Sequence, residues 1–467
     1  MLPVLSVLLI ATTLNSAAII DPGYQEDRPV LVTNEPKTSA GDLASTESRV
    51  PKRPDVPRFD TRGLLTLSLD SSKGVFSDRS FTSIGSSLSY EGFRGIEGFA
   101  LRGRWRYTPD QDLARNIPSY DFTDAWYRWS ISPRGNTITG GRQRVLEAAG
   151  EMIDGVALDV RPSAGIVLGA FAGFRPDPFD FRFRDDALTT GAYSSWAGTG
   201  NRAFFSRQAL VFNSLRGRLD RTFLTWEAGG SLSDTAFLRQ YVILDLDSRG
   251  RPFTLTNYSL QAGGQPARDL RVTWQANVYR NIFYNVGSAD IPTDTSAIQS
   301  TSLTLAYTFT RSLINTASAA SSHRELDHRK SFSYSDALDF LDLLGSGVNL
   351  DLSYSATNYF NAFLDSYSAA LSRQLGKRAT MTLSSSYQRN IADTFGDKNK
   401  STFLLSSLGG SYIVNDKYDV AGNFQYQRAH LNNGPTVGLG FIRDPQNVGT
   451  SMKGTGINLF LSLARRF

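Results

Sequence analysis

The run Leu270-Arg271-Val272-Thr273-Trp274-Gln275-Ala276-Asn277-Val278-Tyr279 alternates apolar and polar side chains with a period of two. Successive side chains of a β-strand point to opposite faces, so Leu270, Val272, Trp274, Ala276 and Val278 form an apolar face. Arg271, Thr273, Gln275, Asn277 and Tyr279 form the polar one. The pattern recurs in Leu303, Leu305, Tyr307 and Phe309 against Ser302, Thr304, Ala306 and Thr308. It returns in Val420, Phe424 and Tyr426 against Asp419, Asn423, Gln425 and Gln427. Strands in soluble sandwiches average ~5–6 residues, whereas these segments run roughly ten to thirteen, the length that crosses a bilayer at a ~45° tilt. Residues 61–467 therefore read as one all-β domain, a transmembrane antiparallel up-and-down β-barrel.

Composition permits this and excludes a helical membrane protein. The 467 residues are 40% hydrophobic, the mean hydropathy is −0.25, and beyond the N-terminus no run of ~18 apolar residues occurs. Cysteine is absent, which removes a disulfide framework, cysteine metal sites, lipoprotein anchoring and C-x-x-C-H haem attachment. The expectation is that this chain binds no cofactor. A net charge of +5, with no dense basic run, argues against a nucleic-acid partner.

Residues 1–18 are apolar and end in Ser16-Ala17-Ala18, a small-x-small pattern, so they read as a signal peptide cleaved near Ala18. They depart from the usual form in having no basic residue before the apolar run; the first is Arg28. Residues 19–60 carry Pro22, Pro29, Pro36, Pro51, Pro54 and Pro57 with only Tyr24 and Phe59 as aromatics. Such a stretch buries too little apolar surface to order itself and reads as a flexible periplasmic leader. The alternative is a segment that enters the barrel or docks a partner.

Turn lengths set the orientation. Short connections at 92–95, 133–135, 162–163, 376–378 and 415–417 alternate with longer ones at 108–120, 175–189, 282–299, 391–401 and 431–454. Outer-membrane barrels have short periplasmic turns and longer external loops, which places both termini in the periplasm. Counting gives about 22 strands, within about 18 to 24, the alternation being weakest at 190–197 and 312–345.

In the last segment Ile457, Leu459, Leu461 and Leu463 share a face with the terminal aromatic Phe467. This resembles the C-terminal signature by which bacterial outer-membrane barrels are recognised for insertion. The resemblance implies a Gram-negative outer-membrane location, with the barrel-assembly machinery, outer-membrane lipid and lipopolysaccharide as partners. Arg465 departs from it, standing where the signature is usually apolar, but near a strand end its head can reach the interface.

Catalytic constellations are thin. His323, His328 and His430 fall in expected loops, and no G-x-S-x-G, H-E-x-x-H or phosphate-cradling loop accompanies them. The expectation is a protein that is not an enzyme and holds no metal. The charged constellation is Arg102, Arg104 and Arg106, alternating with Leu101, Trp105 and Tyr107, followed by Arg128, Arg142 and Arg144 on the next segments. An Arg on the lipid face near the midplane costs ~2–4 kcal/mol, so all six are expected to face the lumen as one basic wall. Two readings are open: an arginine–carboxylate ladder, with Asp124, Glu147, Glu151 or Asp159 as partners, or a field that favours anions or an acidic partner. The loop from Arg175 to Asp186 reads as an exposed surface loop, with an inward constriction as the alternative.

A barrel of about 22 strands normally needs its lumen plugged, and no plug domain is present in the sequence. The export signal, the Ser/Thr/Tyr-rich barrel without cysteine, and Ser372-Arg373-Gln374-Leu375-Gly376-Lys377 before a Thr/Ser-alternating strand resemble porin-like subunits of porin–cytochrome conduits. The resemblance covers residues 62–467 as architecture. It implies a sheath holding a multihaem c-type cytochrome across the outer membrane for electron transfer, with all haem on partner chains. A passive diffusion porin for small solutes and a barrel that displays external loops are the other readings.

Overall fold

The computed structural model describes residues 59–73, 80–107, 119–133, 135–177, 181–198, 204–248, 251–280, 296–359, 362–394, 397–432 and 452–466. The expected export signal at 1–18, nearly all of the expected leader at 19–60, and Phe467 lie outside these residues. The first strands are β1 (Asp60–Lys73), β2 (Ser80–Arg94), β3 (Glu97–Tyr107), β4 (Ser119–Ser130), β5 (Thr137–Val145), β6 (Glu151–Ser163) and β7 (Ile166–Phe174). Next come β8 (Ala187–Ala197), β9 (Phe204–Leu215), β10 (Arg218–Ser233), β11 (Ala236–Ser248), β12 (Arg251–Ala267), β13 (Leu270–Arg280), β14 (Ala297–Thr310) and β15 (Leu313–Arg324). The remainder are β16 (Lys330–Phe340), β17 (Val348–Tyr359), β18 (Ala362–Leu375), β19 (Ala379–Thr394), β20 (Asp397–Asn415), β21 (Tyr418–Asn432) and β22 (Met452–Arg466).

These form a single 22-stranded sheet in which sequence neighbours pair antiparallel. β1 pairs with β22 from Leu64↔Arg466 to Lys73↔Ile457 without a register shift. The sheet is thereby a closed barrel with no open edge. The weakly alternating stretches resolve as β8 and as the β15–β16 pair.

Register carries one apolar face around the wall. Leu67 lies opposite Leu463, Ile138 opposite Leu158, Trp274 opposite Leu303, Leu383 opposite Leu408 and Phe424 opposite Leu459. These side chains remain open to the surroundings: Leu67 and Leu383 are each 50% exposed and Phe424 44%. A continuous exposed apolar belt of this extent suits lipid, not water. The opposite face carries Thr273, Gln275, Asn277, Ser302 and Thr304, and hydroxyls pair across it. Ser318 and Ser335 lie 2.6 Å apart, Ser353 and Ser368 2.6 Å, and Ser384 and Ser407 2.7 Å.

The connections 108–118, 175–186, 281–296 and 433–451 all leave the same end, opposite to the end where β1 begins and β22 finishes. The expected strict alternation of short and long connections does not hold, because the two-residue turn Arg216-Gly217 leaves this long-loop end too. The expected loop 391–401 is a second correction: β19 runs to Thr394 and β20 starts at Asp397. The sequence around these strand ends, Asp393 to Lys400, carries no apolar–polar alternation, so the mark of a strand disappears there.

One part of the wall is pinched. Gly141, Gly155 and Gly173 are register partners across β5, β6 and β7. A Cβ on Gly155 would stand 2.1 Å from the Ala172 carbonyl oxygen and 2.4 Å from the Gly173 Cα. Only a residue without a side chain fits that approach.

Candidate functional site: the barrel lumen

The arginines of β3 face the lumen, where a carboxylate network receives Arg102 and Arg104. Glu91 on β2 takes Arg62 at 2.9 Å and Arg102 at 2.9 Å. Arg102 also lies 3.8 Å from Asp124, and Arg104 Nε donates to Asp121 at 2.6 Å. A bulge between Arg102 and Gly103 in the β3–β4 pairing sets both aspartates on the arginine side. Arg128, on β4, donates to Thr139 at 3.2 Å and stacks 5.3 Å from the Trp126 ring. Arg106 is exposed. Of the carboxylates expected as partners, Asp124 serves. Asp159 instead accepts from the Tyr193 hydroxyl and lies 3.3 Å from Thr137 Oγ1.

Arg142 and Arg144 are a correction: they do not belong to this wall. Register places Gly140 opposite Tyr127 and Arg142 opposite Ala125, residues of the outward face, so the alternation that points Arg128 inward points Arg142 outward. Arg142 Nε and Nη2 each reach Asp154 at 2.6 Å, while Nη1 donates to the carbonyls of Phe122 at 2.8 Å and Phe181 at 2.6 Å. The loop after β7 is thus held against the outside of the barrel, where Phe183 meets Phe174 at 5.3 Å between ring centroids. Of the loop's described residues, Phe183 is 59% exposed, whereas Pro176 is buried and Arg175 is turned to Asp220 at 3.3 Å. In that loop Arg184 and the neighbouring Arg216 hold the Asp186 carboxyl below its ordinary range, the Arg184 hydrogen bond contributing most.

A feature absent from the sequence reading is the inward fold of the β5–β6 connection. A short 3-10 turn, Leu146–Ala148, enters the lumen and packs on β8 and β9. The Glu147 carbonyl accepts from Thr225 Oγ1 on β10 at 2.9 Å. Around it Val145, Ala148, Ile153, Phe171, Tyr193, Val211 and Phe223 form a buried apolar cluster. All the strand members point inward, opposite to the exposed Leu158, Leu168, Phe212 and Leu224. An apolar patch on the lumenal face of β7 to β10 was the available clue: Phe171, Val211 and Phe223 stand where polar residues would otherwise be.

Beyond the cluster, Glu227 on β10 lies between Arg207 of β9 at 3.7 Å and Arg239 of β11 at 2.5 Å. Asp245 is fully buried beside Arg221. The histidines stand away from all of these. His323, in β15, stacks on His328 of the β15–β16 connection with ring centroids 5.8 Å apart, and His430 is on the outward face of β21, opposite Thr402 and Lys453, so two of the three stand on strands and not in the expected loops.

Four residues of the expected insertion signal, Ile457, Leu459, Leu461 and Leu463, face outward beside Leu67 and Leu69 of β1, and the fifth, Phe467, lies outside the described residues. Arg465 sits 5.7 Å from the Tyr418 ring, an arrangement in which the guanidinium stays at the rim.

No family model matches the chain, and no curated protein does. Among solved structures the chain is similar to a mutant of the ferric enterobactin receptor PfeA from Pseudomonas aeruginosa, at 10% identity, with a TM-score of 0.57 over 87% of this chain and 80% of that one. OccK3 (OpdO) from Pseudomonas aeruginosa matches at 11% identity and a TM-score of 0.42, over 87% of this chain and 96% of that one. The translocation pore of the P pilus usher PapC matches at 12% identity and a TM-score of 0.39, over 87% and 99%. Likeness at such identities speaks to architecture, and the receptor match agrees with the closed sheet described above: this is a large antiparallel barrel of the outer-membrane type.

Proposed function

We propose that the chain is a channel for small hydrophilic solutes in a bacterial outer membrane, with both termini in the periplasm. The observation that carries this reading is the inward 3-10 turn at Leu146–Ala148, fixed to β8–β10 by a buried cluster. A lumen meant for a folded partner is best left clear, whereas a diffusion channel is narrowed by its own chain. The polar lining of the remaining wall suits water and solutes. The exposed outer belt, and the long-loop end opposite the termini, support the membrane assignment and its orientation.

The width favours a second reading. Strands ~4.8 Å apart and tilted ~40° give a backbone diameter of roughly 44 Å for this strand number. That is broad enough for a sheath around a multihaem c-type cytochrome, the partner that the family resemblance implies. The two readings separate on one preparation from native membranes. The channel predicts a colourless barrel that gives stepwise conductance in a planar bilayer. Haem co-migrating with the barrel, with conductance appearing only after the haem protein is stripped, would replace the channel by the sheath.

A further inference from the structure

Phe59, the residue that leads into β1, packs on the outside of the wall. Its ring stands 5.7 Å from that of Phe99 on β3 and 6.5 Å from that of Tyr127 on β4. The Arg94 guanidinium of β2 lies 4.9 Å from its centroid. Phe99 and Tyr127 are register partners and alternate with the lumenal Arg102 and Arg128, so they face outward. Glycines make room for the rings. A Cβ on Gly92 of β2 would stand 2.6 Å from the Phe99 ring, and one on Gly140 of β5 would stand 3.1 Å from the Trp129 ring. Each of these rings therefore lies over a neighbouring strand. Tyr127 continues the row to Trp129 at 4.8 Å between centroids, and Trp129 is 47% exposed. Together they make one aromatic strip on the outer wall, from β1 to β5, at the end where β1 begins.

The chain reaches this strip through Pro51-Lys52-Arg53-Pro54-Asp55-Val56-Pro57-Arg58. These residues lie outside the described ones, but their spacing is informative. Proline recurs at every third position, and a polyproline II helix turns once in three residues, so all three prolines fall on one face. Segments of this kind are bound by surfaces lined with aromatic rings. The lengths agree. Eight residues at ~3.1 Å each extend roughly 25 Å, and four strand spacings of ~4.8 Å, from β1 to β5, amount to roughly 19 Å. Phe59 sets the direction, since its ring already reaches past β2 to β3 and β4. Being part of the same chain, the segment meets the strip at high effective concentration.

We propose that residues Pro51–Pro57 dock in polyproline II form along this outer strip, with Phe59 as the anchor. The leader then leaves the barrel on its outer side, and the lumen is kept clear of it. The inference goes beyond the channel reading and does not rest on it, because a lumen free of the leader serves a channel and a sheath alike.

The chain has no cysteine, so introduced pairs can be followed without background. Lys52→Cys, Arg53→Cys, Asp55→Cys and Val56→Cys are each combined with Ile138→Cys or with Ser89→Cys. Ile138 is the outward register partner of Trp129, and Ser89 is the lumenal register partner of Arg102. Each full-length barrel, shown to be folded by its heat-modifiable mobility, is oxidised mildly in lipid vesicles, and its remaining thiols are counted by the mass shift of a maleimide polymer. A disulfide needs its Cα atoms within ~7 Å. At least one leader position is expected to pair with Ile138→Cys, and none with Ser89→Cys. Adding Pro51→Ala, Pro54→Ala and Pro57→Ala together is expected to slow that pairing roughly fivefold or more, since the extended form is no longer preset. Pairing with Ser89→Cys would put the leader in the lumen and overturn the proposal. So would pairing with neither, which leaves the strip as an interfacial aromatic girdle, or a rate indifferent to the prolines. Conductance of the same vesicles bears only on the channel reading, so either reading can fail alone.

Discussion

Thr225 Oγ1 on β10 donates to the Glu147 carbonyl at 2.9 Å, joining a wall strand to a connection 78 residues earlier in the chain. The bond fastens the only helical turn that the described residues place inside the lumen, and it stands next to Ala148, which is fully buried.

That turn is expected to set part of the channel's conductance. Ala148→Glu puts an unpaired carboxylate into the apolar cluster, at a cost of several kcal/mol that detachment of the turn avoids. Single-channel recordings should then show a larger unitary conductance. Thr225→Val removes one hydrogen bond, about 1 kcal/mol, and should give a smaller increase or flicker between two levels. Unchanged conductance in both variants would mean that the turn is no constriction.

Glu91 joins Arg62 and Arg102 across three strands, and its side chain is 19% exposed while that of Arg62 is 65% exposed. Glu91→Gln is expected to lower barrel stability by about 1 kcal/mol, the modest value proper to solvent-screened pairs. Thermal unfolding in detergent checks this. Arg104→Gln and Arg128→Gln discriminate between the ladder and the anion field. The two substitutions remove two positive charges and uncover Asp121, now paired with Arg104, while Arg128 is held by Thr139 and the Trp126 ring. The reversal potential should shift toward cations, and a lower melting temperature with no such shift would mark the ladder alone.

The outward face is testable with one Leu. Leu158 lies in the middle of β6 among Val156 and Val160, all of them exposed. Leu158→Arg should cost about 2–4 kcal/mol in a bilayer if that face meets lipid. Ser353→Arg, on the lumenal face of β17, should be close to neutral. Denaturant unfolding from lipid vesicles measures both, and equal costs would refute the assignment of faces.

At the pinch between β6 and β7, Gly155→Ala forces a Cβ to within 2.1 Å of the Ala172 carbonyl oxygen. The backbone must yield, at a cost of about 1–3 kcal/mol. A lower folded fraction on heat-modifiability gels is the expected outcome, and Gly95→Ala in the β2–β3 turn, where no atom lies within 4 Å of a Cβ but φ is +63°, should cost less.

Much of this was readable from residues alone, for a simple reason. In a bilayer each strand must hide its backbone in the sheet and show lipid a continuous apolar face, so Leu270 to Tyr279 announces both its conformation and its environment. The strand number and the inward direction of Arg102 and Arg104 follow from the same period. The rule loses force where the bilayer ends. Residues 391–394 and 397–401 are strand but read as loop, since their sequence carries no apolar–polar alternation. Arg142 was misassigned because a period of two fixes faces within one strand, whereas the relation between strands depends on register, and the β4–β5 pairing of Ala125 with Arg142 has no local signature. The inward turn at Leu146–Ala148 was invisible for a related reason. Its partners on β8, β9 and β10 are distant in sequence, and only the surplus of apolar residues on their inner faces records the contact.

The pairing of β1 with β22 has a consequence for how the molecule comes to exist. Leu64 meets Arg466 and Lys73 meets Ile457, so the first strand waits for a partner that emerges last. Until then the growing sheet carries two raw margins, each a row of unpaired amides able to capture other chains. Loop closure over such a separation is entropically slow and yields nothing until the seam zips. The cylinder is therefore a late event in the molecule's history, and only its closure removes both margins at once.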